Sequence, residues 1–238
     1  MKQLITLGIC VAMSLTSSAL FAKESPKHLE VAEDLLSKVD VNNTNYEHGE
    51  GTVIWDGPAQ SRTDCSGFID HLLMHTYGYS RDDFKRWFDS RRPTARRYHD
   101  AIAEQKGFTQ LSRPEDLRPG DLIAIKYFGR TDNTGHIMLV AGKAEQIAAK
   151  KPFVEGTTQW AVKIIDSSMS GHGNTDTRHK RGHSGKDRDG LGQGIFRLYT
   201  DTDGKIAGFT WSTQNASKFM KPEDEHVVLG RLVPNYQP

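Results

Sequence analysis

At Arg118-Pro119-Gly120-Asp121 the apolar pattern of this 238-residue chain changes its period. Ahead of that turn the spacing is helical. Leu29, Ala32, Leu35, Leu36 and Val39 within residues 26–39 predict an amphipathic opening helix. Phe68, Leu72, Leu73 and Met74 predict a second, starting at Cys65 and ended by Gly78. Residues 81–89 and 95–105 predict two short surface helices broken by Pro93. Residues 42–60, rich in Asn, Gly, Asp and Pro, predict a loop carrying Tyr46 and Trp55. Behind the turn, residues 122–128, 136–142, 161–166, 194–199, 206–211 and 226–233 all predict strands. Asp201-Thr202-Asp203-Gly204 predicts a hairpin turn between two of them. The same residues contain a fragment of a calcium loop, but without its remaining ligands and distal Glu the turn reading prevails. Helices first and an antiparallel sheet after them define an α+β fold.

With 36% hydrophobic and 26% charged residues and no long tract of one sign, the composition is that of a globular protein, not a disordered one. A chain of this length buries a core without disulfide staples. Residues 1–22 stand apart: Lys2 is a minimal basic region, Leu4 to Met13 an apolar one, and small residues follow up to Ala19 or Ala22. This predicts a signal peptide and a secreted or periplasmic protein. Ile9 ahead of Cys10 does not fit a lipoprotein signal. After residue 22 nothing approaches the ~20 apolar residues of a membrane span. With no internal repeat and no linker, residues 23–238 are expected to form a single domain, a core of about residues 45–170 with an extension over 171–238.

Removing residues 1–22 takes away one lysine and no acid, leaving 30 basic and 30 acidic side chains. A chain without basic excess is not built to bind nucleic acid. It also leaves one cysteine, Cys65, which in an oxidising compartment is either buried and inert or kept for its reactivity.

Asp64-Cys65-Ser66-Gly67-Phe68 lies where a polar loop becomes an apolar helix. There the sulfur faces unpaired N–H groups and the positive end of the helix dipole, which favour a thiolate and can hold an oxyanion. A nucleophilic thiol needs an imidazole to hold its proton and pass it on. Of the ten histidines, His136 stands at the mouth of the apolar strand Ile137-Met138-Leu139-Val140. Asp166, read as the end of the strand Val162-Lys163-Ile164-Ile165, suits the third role of orienting that imidazole.

The motifs DCSG at residues 64–67, PGD at 119–121 and GH at 135–136, in that order, resemble the NlpC-type cell-wall peptidases of the papain-like superfamily. The resemblance covers roughly residues 45–170. It implies a papain-like α+β fold and hydrolysis of an amide bond in peptidoglycan stem peptides, with Cys65 as nucleophile and His136 as base. It places Asp64, Ser66 and Trp55 at the substrate cleft and requires no cofactor and no metal. Three features depart from the family pattern. The spacing from His136 to Asp166 is long, residues 143–160 reading as an insertion. The third residue is Asp where the family most often has His, Asn or Gln. The tail has no counterpart, and it opens with a polar loop, Ser170 to His183, whose histidines lack zinc-site spacing and which is expected to flank or cover the cleft as a mobile segment. The glycines of Gly190-Leu191-Gly192-Gln193-Gly194 lack the setting of a nucleotide fingerprint. The basic stretch Arg81 to His99 reads as a solvated helix face, with contact to anionic wall polymers or substrate carboxylates as the functional alternative. The same site also fits a papain-like amidase, acyltransferase or toxin acting on another substrate. A wall-binding protein without turnover is disfavoured by the intact Cys65 and His136 pair.

Overall fold

The structure, a computed structural model, describes residues 25–181, 185 and 187–238; the proposed signal peptide and His183 lie outside them. Among the described residues no helix is long and apolar enough to cross a membrane.

Helix α1, Lys27–Lys38, buries Leu29, Ala32 and Leu35 as its spacing predicts. Helix α2, Cys65–Tyr77, begins where Asp64 accepts the Gly67 N–H at 2.7 Å, a cap worth about 1 kcal/mol. It ends at Gly78, whose φ of 74° is open to glycine. Helices α3, Arg81–Phe88, and α4, Ala95–Ala103, are not the surface helices expected. Phe84, Trp87, Phe88, Tyr98 and Ile102 are all buried, while the basic residues that dominate the sequence face outward. Buried Asp70 of α2 ties the three helices together by accepting from the Tyr98 hydroxyl at 2.8 Å and from Arg81 at 3.0 Å.

The segment read as a loop over residues 42–60 holds strands too short to show a period. β1 (Thr44–Asn45), β2 (Thr52–Ile54) and β3 (Gln60–Arg62) form a small sheet of their own. The main sheet comprises β4 (Phe108–Leu111), β5 (Leu122–Tyr127), β6 (Gly135–Val140), β7 (Glu145–Ile147), β8 (Thr158–Ser168), β9 (Gly190–Thr200), β10 (Ile206–Thr210) and β11 (Glu225–Leu232). Its order is β10-β9-β8-β6-β5-β11-β4, antiparallel throughout, with β7 beside β8. The architecture is α+β, as expected. β4 and β7 escaped the sequence reading, and β8 and β9 run well past the apolar segments that announced them. The C-terminal strands are not an appendage: β9 pairs with β8 from Thr158↔Thr200 to Ser168↔Gly190, and β11 inserts between β5 and β4.

Both faces of the sheet are buried. Leu122, Ala124, Ile137, Leu139 and Ile165 pack against the helices, while their neighbours Ile123, Ile125, Met138, Val140 and Ile164 pack with Phe196, Leu198 and Phe209. This second cluster is drawn from the sheet itself, so the sheet curls until β10 meets β11. The PGD turn is a fastening point. Asp121 accepts the Arg118 N–H at 2.7 Å and a two-pronged pair from Arg231 of β11, both at 2.8 Å, and His28 of α1 bonds the Gly120 carbonyl at 2.7 Å. The Asp201–Gly204 segment is the predicted hairpin turn, its Asp201 carboxylate accepting from the Asp203 and Lys205 N–H groups at 2.9 Å.

Gly135 positions the start of β6. A Cβ there would lie 2.0 Å from the Ile125 carbonyl oxygen, on backbone that has no freedom to yield. Gly135→Ala is therefore expected to cost more than about 3 kcal/mol, read as a lowered urea midpoint, the range of clashes the core cannot absorb.

Candidate active site

β6 and β8 are paired only at Leu139↔Ile165 and Val140↔Ile164. Toward the start of β6 they are no longer paired, and His136 and Asp166, on the same face of the sheet, meet in the opening. His136 Nε2 lies 2.6 Å from Asp166 Oδ2. Cys65, the first residue of α2 and 4% exposed, lies near enough to the imidazole to act on it by charge and hydrogen bonding. The structure thus brings together Cys65, His136 and Asp166. One detail differs from expectation: Asp166 does not end its strand but sits inside β8, with no exposed surface.

The electrostatics follow from the packing. Burial acts to lower the pKa of His136, but the charge of Cys65, hydrogen bonds donated to Asp166 and Cys65, and the charge of Asp166 outweigh it and push the imidazole up to about 10. Burial acts to raise the Asp166 carboxyl. The charges of Arg178 and His172, with hydrogen bonds from His136 and His172, hold it well below the usual carboxylate range. Asp166 is therefore an ionised, acceptor-only group facing an imidazole that keeps its proton through the neutral range. Because the folded protein binds that proton more tightly than the unfolded chain, its stabilisation is complete below pH about 6.5 and is lost as pH rises toward 10.

Asp64 caps α2 and lines the mouth of the site. Its Oδ1 accepts from the Gly67 N–H and from the Ser66 hydroxyl at 3.2 Å, and its Oδ2 from Arg92 at 3.0 Å, with His48 Nδ1 at 3.3 Å. The Phe68 N–H bonds the Asp64 carbonyl, so the amides with no bond among the described residues in this first turn are those of Cys65 and Ser66. Beside them a pocket of about 190 Å³ is lined by His48, Asp64, Ser66, Arg92, Pro93 and Thr94.

Trp55 is not part of this site. Its ring stacks on His75 at 4.4 Å between centroids, near the far end of α2 and about 15 Å along the helix from Cys65. The aromatic residue beside the sulfur is Tyr46, from the same loop. Burial, the charges of Cys65 and Asp64 and a hydrogen bond to Cys65 all raise its hydroxyl pKa. The basic stretch 81–99 is largely spent on internal partners: Arg81 on Asp70, Arg91 on Asp82 and Arg92 on Asp64. Trp211, at the end of β10, covers His136 edge to face at 5.3 Å.

The polar loop expected to flank or cover the cleft as a mobile segment lies beside the site, but with its charged residues turned inward. His172, Asp176 and Arg178 are buried, and His172 Nε2 and Arg178 contact Asp166 at 3.0 and 2.8 Å. Arg178 also grips Asp176 through both carboxylate oxygens, at 2.9 and 2.8 Å, and donates to the Gly190 carbonyl at 2.9 Å. The glycines of β9 make this possible. A Cβ at Gly192 would lie 2.3 Å from Arg178 Nε, and one at Gly194 would lie 2.4 Å from an Asp176 oxygen. Alternate glycines on one strand face, a signal present in the sequence, leave the trough in which the ion pair lies. Donor atoms of His136, Asp166 and His172 fall within 4.8 Å of one another. Contacts of 2.6 and 3.0 Å leave them joined through hydrogens, not spread around an ion at ~2.0–2.2 Å from each ligand.

The family described as NlpC/P60 matches residues 51–169, half of the chain. The sequence is 37% identical over 223 residues to an uncharacterized protein of Acanthamoeba polyphaga mimivirus, a similarity covering 87% of this chain and 96% of that one. No solved structure matches.

Two outcomes test this geometry. His136, followed by NMR, should titrate near pH 10, and in Cys65→Ser, which removes the leading charge that raises it, the midpoint should fall by more than one unit; an unmoved midpoint would separate the two side chains. Arg178→Met, which strands Asp166 and Asp176, should lose about 3–5 kcal/mol in urea unfolding.

Proposed function

The chain belongs to the NlpC/P60 family, and from that membership we propose that it is a cysteine hydrolase cutting an amide bond of peptidoglycan stem peptides outside the cytoplasm. Family membership supports the coarser part: the family is one of cysteine peptidases and amidases acting on peptide-containing substrates. The wall substrate follows from the DCSG, PGD and GH motifs, and the location from the signal-peptide reading of residues 1–22.

The observation that carries the reading is the position of Cys65 at the head of α2, beside an imidazole whose far nitrogen is held by a buried carboxylate. In the proposed reaction the Cys65 thiolate adds to the amide carbonyl. The oxygen takes the negative charge and is met by the Cys65 and Ser66 N–H groups. His136 gives its proton to the nitrogen as the C–N bond breaks, freeing the amine and leaving a thioester on Cys65. Water then gives a proton to His136 and adds to the thioester, and collapse releases the acid and restores the thiolate–imidazolium pair. Asp64, Ser66, Arg92 and His48 present both signs of charge around the pocket, which suits the polar end of a short peptide. Tyr46, on the sulfur, steadies the thiolate before attack.

Purified protein and its Cys65→Ala variant, each incubated with sacculi and followed by mass spectrometry of the soluble products, test the proposal. New fragments from the unmodified protein alone are expected, and their masses name the bond. Equal release by Cys65→Ala would end the thiol mechanism. No release from either, with Cys65 still open to alkylation, would end the wall assignment. Tyr46→Phe should retain the fold and lose about tenfold in rate, the scale of one charge-assisted hydrogen bond.

A further inference from the structure

Asp166 is held by more groups than the orientation of one imidazole requires. Its Oδ2 meets both His136 Nε2, at 2.6 Å, and His172 Nε2, at 3.0 Å, while its Oδ1 accepts from Arg178 at 2.8 Å. The other nitrogen of His172, Nδ1, lies 2.7 Å from the Trp211 carbonyl oxygen. Each nitrogen of His172 therefore faces an oxygen that only accepts. A neutral imidazole has one N–H and one bare nitrogen, and would set that lone pair against one of the two oxygens in a site where the residue is 3% exposed. Only the imidazolium satisfies both contacts. His172, Arg178 and Trp211 all lie beyond the residues 51–169 that match the family.

We propose that His172 is a positioning residue of this centre, an imidazolium that clamps Asp166 together with Arg178 and limits how strongly Asp166 retains the proton of His136. The inference rests on the reading of Cys65 and His136 as the reacting pair. Its logic is that of an acid that must do two things. His136 has to stay protonated beside the thiolate and yet release its proton to the departing amine. A lone buried carboxylate at 2.6 Å favours retention; each cation shared by that carboxylate weakens its pull. The groups facing His136 and Asp166 are Cys65 from α2, Tyr46 and Asp64 from the residues ahead of it, and His172, Asp176 and Arg178 from the connection between β8 and β9. With Asp64 met by Arg92 at 3.0 Å, and counting the thiolate of the mechanism, Cys65, Asp166 and Asp176 are set against His136, His172 and Arg178. Removing the charge of His172 leaves the anions in excess.

Two measurements on the full chain decide the matter. In protein carrying nitrogen-15 histidine, both ring nitrogens of His172 should show hydrogen-bearing shifts at pH 7; one bare nitrogen would overturn the proposal, and this needs no variant to fold. The rate of Cys65 alkylation by iodoacetamide is then followed from pH 5 to 11 in the unmodified protein, in His136→Gln and in His172→Gln. The step that follows His136 should give way in His136→Gln to a single rise set by ionisation of the thiol itself, and should move upward by about one pH unit in His172→Gln, a tenfold tighter hold on the proton. A His172→Gln protein with a lower melting temperature but an unmoved step would make His172 merely structural and overturn the proposal alone. A pH profile left unchanged by His136→Gln would remove the Cys65 and His136 pairing itself, and the proposal with it.

Discussion

Asp166 is ionised and has no surface in water, and a carboxylate left alone in such a place costs several kcal/mol. Much of the second half of the chain is arranged to meet that cost. Arg178 supplies a cation, Asp176 fixes the guanidinium in its plane, and Gly192 and Gly194 give the pair room across β9. The His172 ring completes the surroundings and is itself anchored on the backbone at Trp211. The carboxylate, so held, turns Nε2 of His136 toward itself and leaves Nδ1 free for another partner. Orientation of the His136 ring is thus set by a salt bridge one layer behind it.

This arrangement explains why the C-terminal strands cannot be separated from the site. β9 runs along β8 for its whole length, with Gly192 opposite Asp166, and the connection between the two strands carries the buried cations. β10 leads directly into Trp211, over the imidazole, and β11 returns to the interior of the sheet, where Arg231 anchors the PGD turn. The family match stops at residue 169, yet the atoms that fix the charge of Asp166 come after it.

What was legible in the sequence was whatever depends on local pattern. DCSG announces a capped helix start because Asp64 must bond the Gly67 amide three residues on. PGD announces a turn because Asp121 closes it on Arg118. His136 is conspicuous as a polar residue opening an apolar strand. Contacts between distant segments were not legible. Trp55 and Tyr46 share one loop, and only the pairing of β1, β2 and β3 decides that Tyr46 reaches the sulfur while Trp55 goes to His75. The loop from Ser170 reads as solvated because its residues are polar; they are buried because they neutralise one another. The alternate glycines of β9 were visible, but their meaning depends on Arg178, which reaches them across the sheet.

The central claim is that catalysis passes through an acyl group on Cys65. Digestion of peptidoglycan in the presence of hydroxylamine tests it most directly, because a thioester is intercepted by that amine and an amide attacked directly by water is not. The account predicts a hydroxamate of the acyl half that grows with hydroxylamine concentration at the expense of the free acid. Free acid alone, at every hydroxylamine concentration and with turnover intact, would contradict it.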